Sequence, residues 1–305
     1  MNKLFLLLLP LALFSQCRLE ESTDENKRHH IVTTTGIIAD GVNNIVGDSA
    51  DVDFIMGPGT DPHIYKPTSM DVELLDEADI IISNGVHLEG KMAEMLDKYG
   101  QEKPVIRLGD GIPEDELIKV AEMDDAVDAH IWFDPMMWKD GLKYVSDELG
   151  KVDSKNKDYY ADNFKTYAGE LDKTSTWIEG EIESLPDSLR VLITSHDAFN
   201  YFGRRYNLDV RGIQGISTLS EVGLKDVANM VDFIVERKIK AIFTETGTSD
   251  KTAVSIQDGA REKGHEIVIL GPLHADALGE PHSPAGTYIG MIKENVRMIV
   301  EGLSE

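Results

Sequence analysis

SKNKDYYADNFKTYAGELDKTSTWIEGEIES, residues 154–184, holds no proline and no glycine before Gly169. Tyr160, Phe164, Tyr167, Leu171, Trp177, Ile178 and Ile182 recur mostly three or four positions apart, which lines apolar side chains along one side of an α-helix. Ser154 stands where an N-cap belongs, and Pro186 follows the end of the segment. Gly169 and Gly180 lower helix propensity without interrupting the stripe. A helix of roughly 30 residues extends about 45 Å. That is long for a crossover inside one α/β unit and suits a stiff strut laid along two.

Short apolar runs flank the strut in two groups of four. Before it come Ile31–Thr35, Val52–Met56, Ile80–Ser83 and Val105–Leu108; after it come Val191–Thr194, Leu208–Val210, Ala241–Thr244 and Ile267–Leu270. Near-continuous apolar strands suit parallel sheets covered on both faces by helices. The expected fold is therefore α/β with two lobes, each a mostly parallel four-stranded sheet flanked by helices, joined by one long rigid linking helix. The layout reads as residues 29–153 for the first lobe, 154–185 for the linking helix and 186–305 for the second lobe.

The chain has 305 residues, enough for a core in each lobe. With 55 acidic and 30 basic residues its net charge is -25, which argues against nucleic acid as a partner because phosphate binding needs a basic face. Such a charge keeps a protein soluble and enriches cations around it. The first residues differ in kind: Lys3 precedes the apolar run Leu4 to Phe14, then Ser15-Gln16-Cys17. This describes a secretory signal peptide over residues 1–17, too short to span a bilayer as a stable helix. Cys17 is the only cysteine, so no intramolecular disulfide can form. Its position resembles the lipid-anchor site of bacterial lipoproteins, although Gln16 stands where a small residue is usual, and simple cleavage nearby is the alternative. Residues 18–28 are polar and suit a tether.

Four separated residues carry the chemistry. His63 follows Asp61-Pro62, His130 follows Asp128-Ala129 and precedes Trp132-Phe133, His196 comes directly off a strand, and Asp276 lies past another. Loops at strand ends are where α/β folds hold ligands. Three imidazoles and a carboxylate, if brought together, give a transition metal the four ligands of a closed tetrahedral site. Singly, each histidine is more readily explained by packing or hydrogen bonding. His29 and His30 read as solvated, His87 and Glu89 as structural loop residues, and His265, His274 and His282 lack a partner pattern. Glu245, at a strand end, is a candidate to orient a ligand imidazole.

Taken in order, the segments Asp61-Pro62-His63-Ile64-Tyr65-Lys66-Pro67-Thr68, Asp128-Ala129-His130-Ile131-Trp132-Phe133-Asp134, Thr194-Ser195-His196-Asp197-Ala198-Phe199 and Asp276-Ala277-Leu278-Gly279 resemble the zinc/manganese solute-binding proteins of bacterial ABC importers. Ser83-Asn84-Gly85-Val86-His87-Leu88-Glu89, Phe243-Thr244-Glu245-Thr246 and Ala285-Gly286-Thr287-Tyr288-Ile289-Gly290-Met291 extend the likeness across residues 30 to 305. The resemblance implies two α/β lobes on one long helix, with His63 and His130 as metal ligands from the first lobe and His196 and Asp276 from the second. It also implies an exported, monomeric, non-enzymatic protein, periplasmic or anchored outside the membrane, that passes a divalent ion to a membrane permease. Two departures bear on the ion. Many zinc-dedicated members carry a His- and Asp-rich loop before the second ligand, whereas Pro113 to Ala129 has acidic residues and no histidine. Several manganese-selective members have Glu where His196 stands. Imidazole suits zinc and harder oxygen donors suit manganese, so Zn2+ is expected first and Mn2+ next. Two other classes are weighed: an extracytoplasmic zinc hydrolase, which would need an open fourth position and a base such as Glu245, and an adhesin with an incidental metal.

Overall fold

The computed structural model describes residues 28–120, 126–219 and 222–304. The signal peptide, Cys17, all of the tether except Arg28, and the acidic residues Glu122, Asp124 and Asp125 lie outside the described residues. No helix among the described residues is long and apolar enough to cross a membrane.

Eight strands form two sheets of four. The first contains β1 His29–Thr35, β2 Ala50–Met56, β3 Ile80–Ser83 and β4 Val105–Arg107, in the spatial order β2-β1-β3-β4. The second contains β5 Val191–His196, β6 Asp209–Gln214, β7 Ala241–Glu245 and β8 Val268–Leu273, in the same arrangement, β6-β5-β7-β8. All six pairings are parallel. In both sheets the order reverses beside the first strand in sequence, so the crevice at the strand C-termini is the natural ligand position. Complete burial is confined to the inner strands. β3 is buried throughout and β7 likewise, whereas the edge strands β2, β6 and β8 alternate with exposed positions. The expectation of strands covered on both faces therefore holds at the sheet centres and fails at the edges.

Around the first sheet lie α1 Gly36–Val46, α2 Ser69–Glu77, α3 Ala93–Tyr99 and α4 Pro135–Val152. Thr68 caps α2 through a capping box with Asp71. Asp134 caps α4, with Pro135 in its first turn. The strut is α5, Lys157–Glu183, which is about 40 Å long. It starts later than Ser154. The carboxylate of Asp153 accepts from the Asn156 side chain at 2.7 Å and from the Tyr160 hydroxyl at 2.7 Å, holding a turn between α4 and α5. Its buried stripe is Tyr160, Tyr167, Leu171, Thr174, Ile178 and Ile182; Phe164 and Trp177 are only partly buried. Trp177 instead lies under Lys293 and Arg297, with their charges 5.7 and 5.6 Å from the ring centre.

The second sheet carries α6 Asn200–Tyr206, α7 Leu224–Arg237, α8 Lys251–Glu262 and α9 Tyr288–Ser304. The helix α5 packs on α1 and α4 on one side and on α6 and α9 on the other. One hydrophobic cluster consequently runs from Ile31 and Ile82 through Leu171 and Ile178 to Phe243 and Leu303, so the lobes share a core.

Candidate metal centre

His63 sits in the loop after β2, His130 just before a short 3-10 turn at Ile131–Phe133, His196 at the last position of β5 and Asp276 three residues beyond β8. His196 thus belongs to the strand rather than to the loop expected after it. The structure brings all four side chains together. One donor atom from each lies within 4.8 Å of the others, and His130, His196, His63 and Asp276 are 0%, 0%, 5% and 8% exposed.

The spacing fits an ion at the centre. His130 Nε2 lies 3.1 Å from His63 Nε2 and 3.2 Å from His196 Nε2. Asp276 oxygens lie 3.5 Å from the Nε2 atoms of His130 and His196 and 3.8 Å from that of His63. A tetrahedron with metal–nitrogen bonds of about 2.0 Å has edges of about 3.3 Å.

The imidazoles are aimed by carboxylates behind them. A carboxylate only accepts, so Nδ1–H of His130 donates to Asp128 at 2.7 Å, and Nδ1–H of His196 donates to Glu245. With Nδ1 tied to its carboxylate, each ring aims Nε2 at the common centre, where it offers a lone pair once that nitrogen is unprotonated. Lone pairs at this distance repel unless a cation or proton stands between them. Asp276 Oδ1, buried and making no hydrogen bond, faces the same demand.

The electrostatics divide the donors. Burial, reinforced by the neighbouring His130, lowers the His63 pKa to about 4, so this imidazole is neutral at physiological pH. Burial also acts against charge on His196, but Asp276 and Glu245 override it and raise that pKa well above its usual value. For Asp276 burial acts against ionisation, and the three surrounding imidazoles override it, holding the carboxyl well below the usual carboxylate range.

Contacts between lobes fix this geometry. Tyr288 Oη donates to the Trp132 carbonyl at 2.7 Å, and Trp132 Nε1 donates to the Ala275 carbonyl at 3.0 Å, next to Asp276. The Trp132 ring also packs edge-on against His130, with centroids 5.2 Å apart. Asp61 accepts from the main-chain N–H of His63 at 2.9 Å and from the Thr218 hydroxyl of the second lobe at 2.6 Å. Tyr201 and Asn200, from α6, hold Asp128 at 2.8 and 3.1 Å.

Glu245 stands out in the sequence as a candidate orienting group, and Asp128 carries a local signal of its own. Asp-x-His occurs at both Asp61-x-His63 and Asp128-x-His130, a spacing that lets the carboxylate take the main-chain N–H two residues on. Tyr288 had no local signal. The other histidines stay outside the cluster: His30 contacts Asp53 at 2.9 Å, His265 contacts the Ile239 carbonyl, and His274 is gripped through its main chain by Asn295 at 2.9 and 2.7 Å. Glu89 is structural, accepting from Thr34 Oγ1 at 2.6 Å and Asn84 N at 2.7 Å.

Comparison with known proteins gives this geometry a family. The family described as ZnuA, zinc-uptake complex component A, periplasmic, matches residues 31–302. The chain belongs to this family. Within it, the chain is 39% identical over 273 residues to the manganese-binding lipoprotein MntA of Bacillus subtilis, covering 90% of this chain and 89% of that protein. It is 28% identical over 295 residues to the manganese ABC transporter substrate-binding lipoprotein PsaA of Streptococcus pneumoniae, covering 94% and 93%. The solved structure of the periplasmic zinc-binding protein TroA from Treponema pallidum has the same fold, with a TM-score of 0.88 at 38% identity, covering 91% of this chain and 99% of that one. Family membership and fold agree with the resemblance seen in the sequence. The relatives' names divide between zinc and manganese.

Proposed function

We propose that the chain is an extracytoplasmic solute-binding protein that captures one divalent transition-metal ion between its lobes and delivers it to an ABC importer. The carrying observation is the set of four buried donors, His63, His130, His196 and Asp276, at separations close to tetrahedral edges. The ion is cargo: two ligands come from each lobe, so parting the lobes strips half the coordination. Membership of a family whose relatives include ABC transporter lipoproteins supports a membrane permease as partner. Export by residues 1–17, a lipid anchor at Cys17 and a monomeric state belong to this reading.

Zinc is the preferred ion and manganese the next, because three imidazoles outnumber one oxygen donor. The hydrolase reading is weaker. All four donors face one centre, and both oxygens of Glu245 are engaged by His196, through its N–H at 3.1 Å and through Nδ1, leaving no free base there.

Competitive titration of demetallated protein with Zn2+ and Mn2+ tests the assignment. One ion per chain is expected, with zinc the tighter, and His196→Ala should abolish stoichiometric binding. Unchanged metal content in H196A by elemental analysis would falsify the site. A tighter manganese constant would reverse the choice of ion.

A further inference from the structure

The four donors are nearly enclosed, and a cavity of about 410 Å³ between the lobes reaches them at His63. Its wall includes His63, His87, Val120 and Val127 from the first lobe and Ile216 and Leu219 from the second. Among its described lining residues, the side chains suited to a transition metal are two imidazoles: the buried His63 and the exposed His87. Apart from the Ser217 hydroxyl, the other lining side chains are apolar.

The loop carrying His87 is held from several directions. Glu89 accepts from Asn84 N at 2.7 Å and Gly85 N at 3.2 Å, and Leu88 is buried in the core. The Asn84 side chain donates to the Ala129 carbonyl at 3.0 Å, tying this loop to the residue before His130. Held in this way, Val86 and His87 both adopt left-handed backbone, with φ of 44° and 66°. That conformation is sterically costly for residues with a Cβ, above all a β-branched one, and it persists only where the surroundings impose it.

A hydrated dication entering this cavity must give up water, and an apolar wall offers nothing in exchange. We propose that His87 is the first protein ligand of the incoming ion and passes it to His63, taking it back on release. This rests on the reading of the four donors as the cargo site. His87 lies outside the final coordination set, so it lowers the barrier in both directions and leaves the affinity unchanged.

Stopped-flow kinetics with Zn2+ test this, following loading by tryptophan fluorescence and release into excess chelator, for wild type, His87→Ala and His87→Gly. Both rate constants should fall about tenfold in both variants, about 1.4 kcal/mol on each barrier. Kd and the one-ion stoichiometry should stay as in wild type. Glycine relaxes the left-handed backbone, so a normal rate in H87G with a slow H87A would assign the effect to backbone strain and overturn the relay. Wild-type rates in both variants, or a raised Kd from faster release alone, would also overturn it. A wild-type protein that bound no ion would remove the cargo reading itself, whatever the variants did.

Discussion

At Asp128 and Glu245 one device appears twice: a buried carboxylate takes Nδ1–H of an imidazole and points Nε2 at the shared centre. The device explains how the site is kept when no ion is bound. His196 has a raised pKa, chiefly because Asp276 and Glu245 outweigh the effect of burial, so the metal-free centre holds a proton there at neutral pH. Asp276 stays ionised, and His63, lowered to about 4, stays neutral. The ion must displace that proton. Calorimetry at pH 7 in buffers of differing ionisation enthalpy should show about one proton released per ion bound, with apparent affinity rising as pH rises toward the His196 pKa. Zero release would show that the free centre is unprotonated. Of these residues, sequence made the imidazoles visible as types. The tautomer each adopts depends on a partner 49 positions away for His196 but only two away for His130.

At the scale of elements, the strands were legible because each is a compact apolar run, and all eight begin within two residues of their expected starts; β6 starts one residue late and extends further. The start of α5 was not, because Asp153 draws Asn156 and Tyr160 into a turn that a serine at position 154 does not announce. The first residue of α9 is less visible still. Tyr288 stacks on Trp138, its N–H donates to Asp40 of α1 at 3.0 Å, and its hydroxyl holds Trp132. Through Trp132 it steadies both the His130 segment and Ala275-Asp276. Tyr288→Phe keeps the ring and removes the hydroxyl, so it should weaken zinc binding roughly fivefold, about 1 kcal/mol. The same titration used for wild type measures this, and an unchanged Kd would leave Tyr288 a packing residue.

Across the whole molecule, a continuous hydrophobic cluster joins both sheets through α5 and α9. Lobes built on a shared core should unfold together, and an ion bound by both should raise that single transition. At 100 times Kd the gain is about 2.7 kcal/mol, equivalent to several degrees in Tm. Calorimetric scans with and without Zn2+ should show one peak moving upward. Two peaks of which only one moves would mean the ion engages a single lobe.

The chain by itself determined two α/β units, a long helix between them, and which residue types could ligate, since periodicity and composition are local properties. It also contained the Asp-x-His spacing at both 61–63 and 128–130. Only the tertiary structure decided that His63, His130, His196 and Asp276 meet, that Glu245 and Asp128 stand behind them, and that Tyr288 and Trp132 link the lobes. Those contacts join residues as far apart in the chain as His63 and Asp276. They exist because two sheets of the same topology lay their strand ends toward one crevice, a relation between distant segments that no local pattern encodes.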